Sequence, residues 1–155
     1  MRMLVLGAGL QGSACAYDLL QNNEVTVVRL ADIDVRHVAP FLAPYSGKRL
    51  IPTVVDVRDK DAVRALMRES DAVMSAIPYY FNLELATLAV EAGVHFCDLG
   101  GNTEIVFQQK ELADRARAKG VTIVPDCGVA PGMVNILAQH GISQLDTVDS
   151  VRIYV

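Results

Sequence analysis

The amino-acid sequence predicts an α/β fold, a doubly wound parallel sheet with the strand order 3-2-1-4-5-6. Short, almost continuously apolar segments alternate with helix-forming segments along the chain, as a parallel sheet covered on both faces requires. The first apolar segment runs directly into a glycine-rich loop, which is followed by an apolar run of helix-forming residues. A chain of 155 residues is long enough for one such domain with its own hydrophobic core.

The glycine-rich loop has the pattern G-x-G-x-x-G and lies between a predicted strand, residues 3–6, and a predicted helix that includes residues 14–20. Each glycine meets a different requirement of a Rossmann-type dinucleotide site. Gly7 permits a tight turn out of the strand, Gly9 lets the backbone approach a pyrophosphate, and Gly12 lets the helix pack closely. The free N–H groups at the start of that helix attract negative charge. The loop therefore predicts dinucleotide binding.

An acidic residue at the end of the second predicted strand, residues 25–31, supports this interpretation. Asp32 follows the third glycine of the loop by 20 positions, where a carboxylate accepts hydrogen bonds from the ribose hydroxyls and repels a 2′-phosphate. NAD is therefore the predicted cofactor, ahead of NADP. Arg29 and Arg36 lie close by and keep NADP open as the alternative. The simpler interpretation is that Asp32 or Asp34 caps the next helix.

The rest of the first half completes a β-α-β-α-β unit. Residues 33–44 have helix-forming character, and residues 53–57 are predicted to form the third strand. Asp56 is expected at the carboxyl end of this strand, where doubly wound folds contact adenine, although a solvated carboxylate at a strand end explains it equally well. Residues 60–68 then form a predicted amphipathic helix.

The second half repeats the alternation. Residues 71–77 predict a fourth strand, and the end of that strand faces the crevice beside the first strand. We expect the side chains at the opening of this crevice to be those of Tyr79, Tyr80 and Phe81. A helix capped by Asn82 and ended by Gly93 is predicted at residues 82–92, followed by a strand at 94–99. The turn at 100–103 leads into a helix that continues to about residue 119 and is ended by Gly120. The last predicted strand of this half is at residues 121–125.

The end of the chain departs from the alternating plan. Residues 126–132 form a predicted turn at the mouth of the crevice, followed by a helix to about residue 140 and a strand at residues 147–155. Because a domain seldom ends inside an apolar strand, we expect the sequence to be the front part of a longer protein. The expected division is a dinucleotide-binding domain at residues 1–127, and a linker helix and first strand of a further domain at residues 128–155.

Charge and composition exclude several classes of partner. The formal net charge is −4, and no cluster of Lys or Arg occurs, which argues against nucleic acid and anionic membranes as partners. The apolar runs are too short for a membrane-spanning helix, and the first residues lack the regions of a signal peptide. The expected location is therefore the cytoplasm.

Neither the cysteines nor the histidines are spaced like metal ligands, so no metal site is predicted. Cys15 and Cys97 are expected to be small buried apolar residues, and His95 a core residue with its hydrogen bonds satisfied. Cys127 lies between a strand and a helix start, so it is either a thiol of lowered pKa or a packed residue of the turn. The other histidines are His37 and His140.

Three blocks of sequence resemble the saccharopine dehydrogenase-like family, and within it the lysine 6-dehydrogenase type. They are GAGLQG at residues 7–12, SAIPYYFNLELATLAVEAGVHFCDLGGNTE at 75–104 and VPDCGVAPGM at 124–133. The resemblance covers essentially the whole chain. It implies an NAD(P)-dependent oxidoreductase that reversibly oxidises a C–N bond of an amino acid, with hydride passing to the nicotinamide. It also implies a homodimer, in which a second domain supplies much of the substrate pocket.

The resemblance also assigns site residues by their match to the motifs of the family. The residues that it places at the cofactor are Gly7, Gly9, Leu10, Gln11 and Gly12 at the pyrophosphate, Asp32 at the ribose, and Ala76, Ile77 and Pro78 at the nicotinamide. Tyr79, Asp98 and Asp126 match positions near the substrate and are the candidate catalytic residues, since oxidising an amine needs a nearby proton acceptor. Alternatively, Tyr79 only shields the nicotinamide and Asp98 only braces the glycine turn.

Without its second domain, this chain is expected to be inactive as an enzyme. The competing hypothesis, from another class of function, is a non-catalytic module that binds NAD for sensing or regulation. Such a module would carry the same glycine loop and the same acidic residue. The turn at residues 128–132, with the helix after it, favours the enzyme because it leads toward a further domain.

Overall fold

A single parallel sheet organises the part of the chain that the computed structural model describes, residues 1–36 and 38–154. Among these residues its strands are β1 (Arg2–Leu6), β2 (Val27–Asp32), β3 (Leu50–Val54), β4 (Ala72–Ser75), β5 (His95–Asp98) and β6 (Ile123–Val124). Their order in the sheet is β3-β2-β1-β4-β5-β6, and each neighbouring pair is parallel. The predicted Rossmann-type topology is confirmed.

Helices cover both faces of the sheet. They are α1 (Leu10–Gln21), α2 (Lys60–Arg68), α3 (Asn82–Ala92), α4 (Thr103–Lys110), α5 (Ala113–Lys119) and α6 (Val134–Ile142). Two short 3₁₀ turns, Pro40–Tyr45 and Tyr79–Phe81, and a wider turn, Val129–Met133, lie between them. In the described ranges no helix is both long enough and apolar enough to cross a bilayer.

The central strand β1 separates two hydrophobic cores. Its side chains alternate between the faces of the sheet, as in any strand. Leu4 and Leu6 belong to the core that packs against α2, α3 and α5, whereas Val5 belongs to the core that packs against α1 and the first 3₁₀ turn. All three side chains are fully buried. Because β1 pairs with β2 on one side and with β4 on the other, the carboxyl end of β1 is the point where the chain direction switches.

The third strand differs from its predicted bounds. It runs from Leu50 to Val54, whereas residues 53–57 were expected. Pro52 lies inside it, paired with Leu30 of β2, which is compatible with a strand because β3 is at the edge of the sheet. Asp56 therefore lies in the loop after β3, and not in the strand.

Three helix predictions also need correction. Residues 33–36 and 38–39 contain no helix, and the 3₁₀ turn that follows has Pro40 in its first position. The helix expected up to residue 119 is divided into α4 and α5 by Glu111 and Leu112. Asn82 does not cap α3; it is the first residue of that helix, and its side-chain oxygen accepts a hydrogen bond from the Ser75 hydroxyl.

The strand predicted at residues 147–155 is wrong over the residues that are described. Residues 147–154 form no strand and are exposed, because an extended segment needs a neighbouring strand to pair its backbone groups. Val155 lies outside the described residues, as does His37 among the histidines considered as metal ligands. The helix expected before this segment is present as α6, and none of its side chains is buried.

Candidate cofactor and substrate site

The glycine loop lies where the ends of β1, β2 and β4 meet. Gly7 follows β1 with a φ of +101°, and a Cβ placed on it would lie 2.7 Å from the carbonyl oxygen of Ala76, just after β4. A Cβ on Gly12 would lie 1.8 Å from the carbonyl oxygen of Gly7. The tight turn predicted at Gly7 and the close helix packing predicted at Gly12 are both confirmed. These two glycines are required by the fold itself.

Gly9 has different surroundings from the other two glycines. A Cβ placed on it would meet nothing within 4 Å, so the fold alone leaves room for a side chain there. Gly9 is also the N-cap of α1, where no side chain satisfies the helix amides and no acidic residue occupies the first turn. Leu10 and Gln11 continue this exposed helix start. Open space beside free backbone N–H groups fits a pyrophosphate, which those groups would bind.

Asp32 contacts the glycine loop from the end of β2. Its Oδ2 accepts a hydrogen bond of 2.6 Å from the backbone N–H of Ala8, and its Oδ1 accepts one of 3.1 Å from the N–H of Asp34. No helix begins here in the described residues, so the alternative that Asp32 or Asp34 caps a helix is wrong. A carboxylate offers about four lone-pair sites, so Asp32 keeps acceptor capacity for ribose hydroxyls.

A pocket of about 370 Å³ adjoins the glycine loop and lies between the ends of β1, β2, β3 and β4. Asp32 and Asp56 both line it, as do Ile77 and Pro78. Its position beside β2 and β3 suits the adenosine end of a dinucleotide. The expected contacts of Asp56 with adenine and of Ile77 and Pro78 with nicotinamide stay predictions, as does the assignment of Ala76, which contributes the carbonyl group facing Gly7.

An ion pair borders this pocket. Arg58 donates to both carboxylate oxygens of Asp56, at distances from 2.5 to 3.0 Å, and the side-chain hydrogen bond from Arg58 is the main cause that lowers the pKa of Asp56 to about 2. Arg36 holds Asp34 in the same manner. Both pairs have the sequence Asp-Val-Arg, so this repeated tripeptide is a sequence signal for the two pairs.

The aromatic residues after β4 contact two different parts of the site. Tyr80 and Phe81 line the 370 Å³ pocket. Tyr79 lies instead against Gly101, where a Cβ would come within 3.2 Å of the tyrosine Cβ. The ring of Tyr79 also packs edge-to-face on that of Tyr80, with centroids 5.7 Å apart. The three aromatic residues therefore form one cluster, and their expected position over the crevice stays a prediction.

Asp98 is the last residue of β5 and has no exposed surface. Its Oδ1 accepts hydrogen bonds from the backbone N–H groups of Gly100 (2.7 Å) and Asp126 (3.0 Å), and its Oδ2 accepts one of 2.7 Å from Gln109. The carboxylate thus braces the glycine turn and ties it to the turn after β6. This is the alternative role that the sequence left open for Asp98, and the role as a catalytic residue stays a prediction.

Asp126 lies over the same glycine turn. Its φ of +66° is rare for a residue with a side chain, and its Oδ1 occupies the space where Gly100 would carry a Cβ, 1.6 Å from that position. A polar pocket of about 610 Å³ is lined by Asp126 together with Gly101 and Glu104. The structure therefore brings Tyr79, Asp98 and Asp126 together around Gly100 and Gly101, where a carboxylate can face a substrate amine.

Two polar residues near the site were not identified from the sequence. Ser13 donates from its hydroxyl to the carbonyl oxygen of Ala8 at 3.0 Å, and it is buried in α1. Gln109 lies in α4 and donates to Asp98 from a side chain that is also buried. No spacing in the sequence marks Gln109, whereas Ser13 directly follows the last glycine of the loop.

The thiols and His95 add nothing to the chemistry of the site. Burial raises the pKa of Cys15 to about 11 and that of Cys97 to about 12, and burial with the nearby Asp98 and Asp126 raises the pKa of Cys127. A lowered pKa at Cys127 is therefore wrong. His95 is exposed and not in the core, and its Nδ1 accepts from the N–H of Thr122. In the described residues no group of three or more His, Cys, Asp or Glu side chains can hold a metal ion.

The sequence pattern of one protein family matches most of the chain. The family is described as "Saccharopine dehydrogenase NADP binding domain", and the match spans residues 3–124. A curated relative, saccharopine dehydrogenase (NADP(+), L-glutamate-forming) of Saccharomyces cerevisiae, is 26% identical over 145 residues, covering 92% of this chain and 30% of the yeast protein. The chain thus spans less than a third of the length of this relative.

Solved structures show the same fold. The apo saccharopine dehydrogenase (L-Glu forming) from Saccharomyces cerevisiae has a TM-score of 0.73 and 23% identity, covering 92% of this chain and 31% of that chain. GenD2 from gentamicin A biosynthesis, solved in complex with NAD, has a TM-score of 0.62 and 20% identity, covering 95% of this chain and 41% of that chain. At these identities the likeness concerns the fold.

Proposed function

Because the chain belongs to the saccharopine dehydrogenase NADP binding domain family, we propose that it is the cofactor-binding portion of an oxidoreductase that oxidises a C–N bond of an amino acid. The observation that carries this proposal is the open cradle at Gly9, bounded by the uncapped start of α1. Gly7 and Gly12 are needed for the fold, but the fold does not need a glycine at position 9. A bound pyrophosphate explains why that position has no side chain.

The cofactor proposed for this site is NAD, with NADP as the alternative. The carboxylate of Asp32 stands where a 2′-phosphate would bring further negative charge. The two arginines nearest to Asp32 in the sequence are already engaged, Arg29 with Glu69 and Arg36 with Asp34. Arg58, which lines the pocket, is engaged with Asp56. NADP is the cofactor in the name of the family and in the name of the yeast relative, so the two cofactors have to be compared directly.

The proposed chemistry assigns a role to each group at the site. A bound nicotinamide would accept the hydride that leaves the carbon next to the substrate nitrogen. The carboxylate of Asp126 would attract the substrate ammonium and take up its proton. Asp98 would keep Asp126 in place through the backbone N–H of that residue. Tyr79, packed against Gly101, would limit access of water from the other side.

Isothermal titration of the chain with NAD and with NADP tests the cofactor proposal. We expect NAD to bind more tightly than NADP. In the variant Asp32→Asn, an acceptor oxygen for the N–H of Ala8 remains but the charge is removed. The affinity for NAD should fall about tenfold or more, because hydrogen bonds to a charged acceptor contribute about 1.5–3 kcal/mol, and NADP should gain relative to NAD.

The matched control is Asp146→Asn, which removes one charge from an exposed residue distant in sequence from the glycine loop and should change neither affinity. A wild-type chain that prefers NADP would contradict the assignment of NAD. Absence of binding by both dinucleotides at millimolar concentration would contradict the proposed function as a whole.

A further inference from the structure

We propose that Ser13 is a positioning residue that acts with Asp32 to hold the backbone of Ala8, and that this clamp preforms the phosphate cradle before the cofactor binds. This inference rests on the proposed function, since it concerns how the same cradle is built. The hydroxyl group of Ser13 is buried, and it belongs neither to the glycine motif nor to the acidic residue at the end of β2. The proposal gives this hydroxyl group a role.

The clamp acts on both polar groups of one residue. Ala8 donates its N–H to Asp32 Oδ2 at 2.6 Å, and its carbonyl oxygen accepts from the Ser13 hydroxyl at 3.0 Å. Asp32 belongs to the end of β2 and Ser13 to the first turns of α1. The middle of the glycine loop is therefore fastened to the sheet on one side and to the helix on the other.

The contact made by Ser13 differs from the usual bond of a helical serine. A serine or threonine inside a helix commonly donates to the carbonyl oxygen four residues earlier in the same helix, as Thr87 does with Leu83 at 2.8 Å in α3. Ser13 instead reaches five residues back, past the N-cap Gly9, to a residue outside the helix. Its hydroxyl therefore stabilises the loop and not the helix.

The loop needs such a clamp because, among the described residues, no side chain packs against it or hydrogen-bonds to it at Gly9, where the phosphate is proposed to bind. A Cβ on Gly9 would meet nothing within 4 Å, and no side chain caps α1. A loop that fluctuates must be ordered when a ligand binds, and this ordering reduces affinity. Ser13 is only 2% exposed, so it cannot touch a dinucleotide in the cradle and can act only through Ala8.

The experiment compares Ser13→Ala with the matched control Ser70→Ala, which removes a buried hydroxyl donor of the same kind far from the loop. Titration of Ser13→Ala should show an affinity for NAD that is lower by about three- to tenfold, the size of one lost hydrogen bond. ADP, which carries the same pyrophosphate, should weaken by the same factor. Adenosine, detected by NMR shift changes, should bind both proteins equally, and Ser70→Ala should bind NAD like the wild type.

Amide hydrogen exchange in the cofactor-free protein gives a second readout. The N–H of Ala8 should exchange faster in Ser13→Ala than in wild type or Ser70→Ala. A further variant, Ser13→Cys, keeps one heavy atom on Cβ but makes it a weaker donor, and its NAD affinity should lie between those of Ser13→Ala and wild type.

Several results would overturn the inference. Unchanged NAD affinity and unchanged Ala8 exchange in Ser13→Ala would do so while leaving the proposed function intact. Equal losses for NAD and adenosine would also do so, because they would indicate general damage and not a loosened cradle. Wild-type protein that binds neither NAD nor NADP would overturn the proposed function and this inference with it.

Discussion

The three glycines of one short loop serve the molecule in two ways. Gly7 and Gly12 lie where a Cβ would collide with backbone atoms, at 2.7 Å from Ala76 and 1.8 Å from Gly7 respectively. Gly9 has free space around it. The fold requires the first two, whereas the third is required only by the proposed binding of a pyrophosphate. A substitution at Gly9 can therefore separate binding from folding.

We expect Gly9→Val to abolish NAD binding and to leave the protein folded, because the branched side chain would enter the space proposed for the pyrophosphate while its Cβ would meet no protein atom within 4 Å. Calorimetric titration should detect no heat, and thermal unfolding followed by circular dichroism should remain cooperative. Gly141→Val is the matched control, since a Cβ on Gly141 in α6 also meets nothing within 4 Å. Normal NAD affinity in Gly9→Val would show that no phosphate approaches this position.

The Asp56–Arg58 pair leads to a prediction about acid titration. The pKa of Asp56 is lowered from 3.8 to about 2, chiefly by the side-chain hydrogen bond from Arg58. A lowered pKa means that the pair adds stability above the ordinary pKa of the carboxyl group and loses it as the pH falls toward 2. In Arg58→Gln we expect the pKa of Asp56 to return toward 3.8, as measured by ¹³C NMR of the carboxyl carbon. The control Arg36→Gln should leave the pKa of Asp56 unchanged. An equal pKa of Asp56 in wild type and Arg58→Gln would show that Arg58 does not lower it.

At the scale of single elements, α2 offers a direct test of helix capping. Asp59 is the N-cap, and its side chain accepts a 3.0 Å hydrogen bond from the N–H of Ala62. Asp59→Ala should lower the free energy of unfolding by about 1 kcal/mol, the usual contribution of a cap. Urea unfolding measures this difference, with Asp149→Ala, in the exposed tail, as the control for lost charge. Equal stability of the two variants would mean that the cap contributes nothing.

The elements also show what the sequence can and cannot predict. The bounds of α2 and α3 agree with the prediction, because an apolar stripe and a terminal Gly93 in the left-handed conformation mark them clearly. The start of β3 was missed because Pro52 suggests a strand end, whereas at a sheet edge it costs no hydrogen bond within the ladder. Over residues 147–154 the expected strand is absent for the opposite reason, since among the described residues no neighbouring strand pairs with this apolar segment.

For the molecule as a whole, the prediction of topology was confirmed because it rests on a repeated pattern and not on single bounds. Parallel strands joined by right-handed crossovers leave few possible orders. The site is less predictable. Asp32, Gly7 and Gly12 have a motif, but Gln109 and Ser13 act through contacts that form only when α4 and α1 pack on the sheet. The contact of Tyr79 with Gly101, which is distant in the sequence, also forms only in the folded chain.

The stability of the whole sheet depends on the side chains that are buried in its two hydrophobic cores. Leu30 in β2 is fully buried, and Leu30→Ala should reduce the free energy of unfolding by about 2–5 kcal/mol. Val54→Ala, in the edge strand β3 where the side chain is 69% exposed, should change it by no more than about 0.5 kcal/mol. Urea unfolding of both variants provides the comparison. Equal effects would contradict the assignment of β2 to the buried centre and β3 to the edge.

Position 98 admits very few side chains. N–H groups from Gly100, Asp126 and Gln109 converge on one carboxylate that has no exposed surface. An asparagine would be accommodated only if the amide of Gln109 turned, so that its unpartnered oxygen accepted from the new NH₂ group. A glutamate would need space that the packed interior lacks. A survey of all substitutions would therefore show most replacements at this position to be destabilising on structural grounds alone. Loss of activity on replacing Asp98 would consequently be no evidence that this residue takes part in the chemistry.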